Sequence, residues 1–288
     1  VKTSLDCLPC FVRQALDAAR LVSDDPSLHE KIVRELLERI GWMDMGQSPP
    51  ALAQRIHRRL RELAGSDDPY AAIKERQNRM ALGLVPSLRR DIEKSADSLA
   101  TAVKLAVAAN IIDLGAKTGL TEDEVLATMR NASSAELTGE FPSFRDAVAH
   151  AKNILYLTDN AGEIVVDRLL IEQLDPARVT VGVRGAPVIN DAVMADARAA
   201  GLPDIVAVIE NGSDAPGTIL ADCSEEFRRR FREADLIVAK GQGNFESLSD
   251  EPYNVWFLFK VKCPVIAARS GLPVGAHAVM HTAEMVSA

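Results

Sequence analysis

From about residue 150 onward the chain alternates short apolar, β-rich runs with helical stretches, and this alternation constrains the fold more than any other feature. The runs are Ile154–Leu157, Val179–Val183, Ile205–Ile209, Leu236–Ala239 and Val265–Ala268, with helical patterns near 163–173, 189–200 and 224–233. Strands and helices in alternation predict a parallel sheet covered by helices. Ligands of such sheets bind outside the carboxyl ends of the strands, so the residues just after each run carry the functional information.

The first run stops at Thr158-Asp159-Asn160-Ala161-Gly162, and a helical pattern starts near Glu163. A carboxylate and an amide oxygen side by side suit a hard cation. The N–H groups of the following helix terminus suit a phosphate. Asp-Asn-Ala-Gly is also ordinary turn chemistry, so the other strand ends decide between the two readings. The second run is followed by Arg184-Gly185 and the third by Glu210-Asn211-Gly212-Ser213-Asp214. The fourth is followed by Gly241-Gln242-Gly243-Asn244, directly after Lys240, and Lys260 and Lys262 lie just before the fifth. Acidic loops together with Arg and Lys suggest a divalent ion and a phosphoryl group sharing one rim.

Ahead of residue 148 the pattern is helix after helix. Pro86 is expected to interrupt or end the helix that follows Asp67-Asp68-Pro69-Tyr70. The stretch from Ser98 to Leu114 is apolar nearly all round and therefore predicted to be buried, yet it contains Asn110 and Asp113, one turn apart on one face. Those two residues are either a local helix end or a polar face turned into a cleft. Residues 119–140 resemble one short helix, with Thr121 and Glu124 as a capping box, and a polar linker. Two domains are expected, 1–148 helical and 149–288 α/β.

At 288 residues, 47% hydrophobic and 26% charged, the chain can bury a substantial core. A net charge of −8 argues against general nucleic-acid or anionic-membrane binding. Neither a membrane span nor a signal peptide is visible, so a cytoplasmic location is expected. Cys7 and Cys10 form one C-x-x-C, while Cys223 and Cys263 stand alone. A zinc site usually needs two such half-sites, so structural thiols, a redox-labile pair and a metal site all remain open. The Gly241-Gln242-Gly243 stretch has Glu246 where a dinucleotide fingerprint needs its third glycine. No P-loop, no G-x-S-x-G and no H-E-x-x-H is present.

Eight stretches, spread over almost the full length, together resemble a known family. They are CLPC at 7–10, IKERQNR at 73–79, AANIIDLGA at 108–116, LTDNAGEIVVD at 157–167, VRGAPVINDA at 183–192, ENGSDAPG at 210–217, AKGQGNFESL at 239–248 and FKVKCPVIA at 259–267. The family is the metal-dependent damage-control phosphatases, first catalogued as a domain of unknown function, and the likeness is to its prokaryotic branch. The resemblance implies an α plus α/β architecture, a helical N-terminal domain packed on a Rossmann-like parallel-sheet domain with the site between them. It implies a divalent ion (Mg, Mn, Co or Ni) on Asp159, Asn160 and Asp214. It also implies a phosphate lysine at Lys262, although the arginine that accompanies that lysine in eukaryotic branches is absent here.

The expected activity is hydrolysis of small phosphorylated metabolites such as sugar phosphates. Lys262 is expected to stabilise the transferring group with help from Lys240 and Arg184. Asn244 and the backbone of Gly241 and Gly243 are expected to contact the ester, Asn110 and Asp113 to close the cleft, and Glu163 or Asp113 to serve as base. Attack by a water or by Asp159 itself both remain open. The alternatives are S-adenosylmethionine-dependent carboxyl methyl transfer, since the family contains a proposed carboxyl methyltransferase, and a non-catalytic metal- or metabolite-binding protein.

Overall fold

The computed structural model describes residues 1–110, 112 and 121–282 of the chain. Among the described residues six helices come first: α1 (Leu8–Val22), α2 (Pro26–Ile40), α3 (Pro49–Ala64), α4 (Ala71–Lys94), α5 (Ser98–Ala108) and α6 (Glu122–Ser133). Then follow β1 (Leu137–Gly139), α7 (Phe141–His150), β2 (Ile154–Leu157), α8 (Glu163–Ile171), β3 (Val179–Val183), α9 (Met194–Ala199) and β4 (Ala207–Glu210). The chain continues through α10 (Glu225–Glu233), β5 (Leu236–Lys240), α11 (Gln242–Leu248), β6 (Val255–Lys260), α12 (Pro264–Ser270) and β7 (His277–His281).

The strands form one sheet in the order β1-β7-β6-β5-β2-β3-β4. Neighbours are parallel throughout except for the antiparallel pair β6 and β7. Strand β2 lies between β3 and β5, so chain progression reverses direction there. The loops after β2 and β5 therefore flank the switch point, where the crevice of an open α/β sheet forms.

Successive side chains of β2 enter opposite faces, as the two-residue period of a strand requires. Ile154 and Tyr156 join one core with residues of α4, α5 and α8, while Leu155 and Leu157 join another with Phe227, Phe231, Phe245 and Phe257. Both faces are covered, which is why these strands read as continuous apolar runs. A third core, around Phe11, Leu36, Leu52 and Leu60, holds α1 to α3 together. Helix α5 packs against α4, α6 and α8, so its apolar circumference is buried as expected.

Four expectations change. The run Val265–Ala268 lies within a helix, α12, which Pro264 opens at its first turn. The neighbouring strand is instead Val255–Lys260. Three residues of the expected linker, Leu137–Gly139, form an edge strand paired with β7, so the sheet begins ahead of residue 148. Pro86 lies inside α4 without ending it: it faces solvent, and the buried stripe Ala81, Leu84, Leu88 and Ile92 continues past it. Finally, the helix expected from residue 189 starts only at Met194. Asp196 caps it by accepting from Val193 N at 2.9 Å, which leaves Asp191 on the preceding loop.

Candidate metal and phosphate site

The β2–α8 loop and the β3–α9 loop are joined through their backbones. Ala192 N donates to the Asp159 carbonyl at 2.8 Å and Ala161 N to the Asn190 carbonyl at 2.8 Å. Asn160 and Asp191 face each other in an antiparallel bridge. Two buried acids thus stand on paired backbones, with an amide between them. Asn160 Nδ2 donates to Asp159 Oδ2 at 2.9 Å and to Glu163 Oε1 at 2.8 Å, so the amide nitrogen, rather than its oxygen, is committed to the carboxylates. Asn110 Nδ2, at the end of α5, also donates to Glu163 Oε1.

The cluster is crowded with negative charge. Asp159, Glu163, Asp167 and Asp191 are all buried, against two buried cations, Lys240 and Arg184. Burial pushes the Asp159 carboxyl well above the usual range, and the neighbouring charges of Glu163 and Asp191 push it further, with Lys262 and Arg184 opposing. Burial raises Asp191 as well, despite the Arg184 guanidinium. Two negative charges in excess correspond to one divalent cation, and two carboxylates with an amide are oxygen donors of the type such ions take. Among the described residues no group of three or more His, Cys, Asp or Glu side chains is spaced to hold a metal; Asp159 and Asp191 have the Asn160 amide beside them rather than a third such side chain.

Glycine makes the close approach of β5 possible. Gly241 follows Lys240 with φ 81° and ψ 162°, a region essentially reserved for glycine. A Cβ there would lie 2.0 Å from Asp159 Oδ2. One cavity is lined by Asp159, Glu163, Lys240, Gly241, Asn110 and Lys262. Lys262 lies on the exposed rim, in the loop after β6, with its backbone N–H on Gln242 Oε1 at 3.0 Å. Lys260 ends β6 and lines the same cavity. Both lysines reach this edge because they stand at and just beyond the carboxyl end of β6, not because they precede a strand.

The other expected site residues have different surroundings. Lys240 Nζ donates to Asp167 Oδ1 at 2.6 Å and to the Ala106 carbonyl at 3.0 Å, with Glu163 at 3.9 Å. Arg184 is enclosed, with Nε on Asp191 Oδ2 at 2.7 Å and Nη1 on Thr218 Oγ1 at 3.3 Å. Asn244 Nδ2 bonds the carbonyls of Thr158 and Lys240 at 3.1 and 2.8 Å, stapling β2 to β5 at the switch point. Gly243 packs on the backbone of Pro216 and Gly217. Asp214 stands apart from the cavity: it accepts from Gln54 Nε2 at 2.7 Å, from Arg58 Nη2 at 2.5 Å and from Arg61. Burial alone would raise its carboxyl, but the bonds from Arg58, Arg61 and Gln54 outweigh that and hold it low. Asp113 lies outside the described residues. All four cysteines are free thiols.

Sequence reasoning missed Asp191, Asp167 and Asn78. The first lies inside a stretch already singled out, seven residues after Arg184. Its signal was an acid in a polar loop, masked by the expectation of a helix from residue 189.

A mainly parallel α/β sheet with a helical cover, and an acid-amide cluster at its switch point facing a lysine rim, defines a protein of the Rossmann-like ligand-binding class. Comparison with known proteins narrows this. The model of the damage-control phosphatase ARMT1-like domain matches residues 3–278. The chain is 36% identical to MJ0202 of Methanocaldococcus jannaschii, over 96% of this chain and 94% of that one. It is 35% identical to a damage-control phosphatase of Archaeoglobus fulgidus, over 96% and 97% of the two chains. The crystal structure of a DUF89 family protein of Pyrococcus horikoshii, PH1575, matches with a TM-score of 0.91 at 30% identity, covering 98% of this chain and 99% of that one. The chain belongs to the damage-control phosphatase ARMT1-like family. Among the described residues no helix is long and apolar enough to cross a membrane.

Proposed function

We propose that this protein is a divalent-metal-dependent phosphatase of small phosphorylated metabolites, with its cation held by Asp159, Asn160 and Asp191. The observation that carries the reading is the buried excess of carboxylate at the switch point, facing Lys262 across one cavity. Family membership supports the reaction class. Asp191 replaces Asp214 in the expected ligand set, because the Asp214 carboxylate is already neutralised by Arg58 and Arg61.

When bound, the cation supplies Lewis-acid polarisation of a phosphoryl oxygen. The chain supplies the rest. Lys262, exposed on the rim, neutralises the charge of the phosphoryl oxygens facing away from the acids. Glu163 is held between the amides of Asn110 and Asn160 and so fixes the rotamer of Asn160. Lys240 lines the cavity as a buried countercharge bonded to Asp167. Water adds to phosphorus, the bond to the ester oxygen breaks, and the departing oxygen takes up a proton.

The test is hydrolysis of p-nitrophenyl phosphate with Mn²⁺, Co²⁺, Ni²⁺ or Mg²⁺, and with EDTA. Activity is expected only with metal, and Asp159→Ala is expected to lose at least about a hundredfold. Undiminished turnover in EDTA, or in Asp159→Ala, would sink the reading.

A further inference from the structure

One side chain of helix α4 bonds both the β2–α8 loop and the first turn of α9, which the β3–α9 loop enters. Gly162 N donates to Asn78 Oδ1 at 2.7 Å. Gly162 is the N-cap of α8, has φ 75° and has no side-chain cap of its own, so Asn78 satisfies an N–H that the helix start leaves open. The same amide then turns its nitrogen to the first turn of α9, where the other loop ends: Asn78 Nδ2 donates to Asp196 Oδ1 at 2.7 Å. The second oxygen of Asp196 holds Val193 N at 2.9 Å, two residues beyond Asp191. Lys74, one helical turn before Asn78, lies 3.7 Å from Asp196 and 2.7 Å from Asp68. Asn78, Asp196 and Lys74 are all buried.

Asn78 is thus in contact with the Asp159–Asn160 loop as acceptor and, as donor, with Asp196 of α9, which in turn holds Val193 at the end of the Asp191 loop. Only an amide offers both groups at this length. A carboxylate would keep the bond to Gly162 and oppose Asp196; an alkyl group would lose both bonds. We infer that Asn78 is a positioning residue, reaching from the helical domain, that sets the two ligand-bearing loops against each other. The inference rests on the metal reading above and deepens it. It assigns Asn78 no contact with the substrate.

The pair permits a swap. In Asn78→Asp with Asp196→Asn, the new aspartate accepts from Gly162 N and from the new asparagine, whose oxygen still accepts from Val193 N. Titration of the metal-free full-length protein with Mn²⁺ by calorimetry is the test. Asn78→Asp alone is expected to weaken Mn²⁺ binding by about tenfold or more, the range found when a partner that orients a metal ligand is removed. The double variant is expected to return to within about threefold of wild type, as coupled neighbours in a mutant cycle do. Binding by Asn78→Asp within threefold of wild type would overturn the inference. So would a double variant no better than the single one, including one that fails to fold.

Wild-type protein that binds none of Mn²⁺, Co²⁺, Ni²⁺ and Mg²⁺ would instead overturn the metal reading. Amide exchange over 158–166 and 188–196 separates the two questions. Asn78→Asp is expected to speed exchange in both loops and the swap to reverse it; exchange unchanged in either loop would overturn the coupling itself.

Discussion

Lys240 Nζ lies 2.6 Å from Asp167 Oδ1, and both side chains are completely enclosed. The ammonium also donates to the Ala106 carbonyl of α5. One lysine therefore joins β5, α8 and α5 beneath the site. Burial alone would lower its pKa, but the carboxylates of Asp167 and Glu163 outweigh burial and hold it above its ordinary value. The lysine stays charged as a structural latch.

Replacing Lys240 by Met leaves the Asp167 carboxylate buried without its partner. Breaking one side of a buried pair costs about 3–5 kcal/mol. Part of that is relieved because Asp167, already raised to about 6 by burial, takes up a proton. The urea midpoint should fall accordingly and should recover in large part in Lys240→Met/Asp167→Leu. A lysine serving only the substrate would leave the midpoint unmoved.

Gly241→Ala tests how closely β5 approaches the acids. The added methyl meets Asp159 Oδ2 at 2.0 Å, and the backbone there is strained for any side chain by about 1–3 kcal/mol. Asp159 must rotate away. Mn²⁺ affinity should drop by at least about tenfold, while far-UV circular dichroism stays that of the wild type. Unchanged Mn²⁺ affinity would show that Asp159 does not need its present rotamer.

His57 gives the fold a pH dependence of known sign. It is buried in α3, with Nε2 lacking a hydrogen-bond partner. Burial, aided by the Arg61 charge, lowers its pKa to about 4. Between pH 6.5 and 4 the unfolded chain binds the proton and the folded one does not, so stability falls as pH falls through that window. The gap corresponds to roughly 3 kcal/mol. Urea midpoints at pH 7 and 4.5 should separate more for wild type than for His57→Gln. Equal separation would mean that His57 titrates normally in the fold.

The parallel sheet was legible because β2, β3 and β5, covered on both faces, appear as short apolar, β-rich runs. Val265–Ala268 misled for the same reason. Four apolar residues fit a strand or a buried helix equally, and only Pro264 at the helix start distinguished them. The pairing of strand ends was legible in part. Asp159, Glu163 and Lys262 do line one cavity, because they follow the parallel strands β2 and β6, which lie on either side of β5 and end at the same sheet edge. Asp191 was hidden by a helix boundary placed five residues too early, and Asn78 by its position on a helix whose exposed polar residues resemble it. Asp214 had the right residue type at the right kind of loop, but α3 brings two arginines onto it, and nothing local to residues 210–217 announces a partner about 150 residues earlier.

Asp191 and Asp214 therefore make a decisive pair of substitutions. Both are buried acids on loops after parallel strands, and they differ in what surrounds them. Asp191 shares its surroundings with Asp159 and Glu163 and has one arginine, Arg184, on one oxygen. Asp214 has Arg58, Arg61 and Gln54 on its two oxygens. Asp191→Asn removes charge from the acid cluster, so it should abolish measurable Mn²⁺ binding by calorimetry; the metal-free melting temperature should fall as well, because the buried Arg184 loses its ion pair. Asp214→Asn removes charge where two guanidiniums depend on it. It should keep Mn²⁺ affinity within a few-fold and lower stability by about 1–3 kcal/mol, the cost of weakening a charged hydrogen-bond cluster. The opposite pattern, with affinity lost in Asp214→Asn and kept in Asp191→Asn, would return the third ligand to the loop after β4.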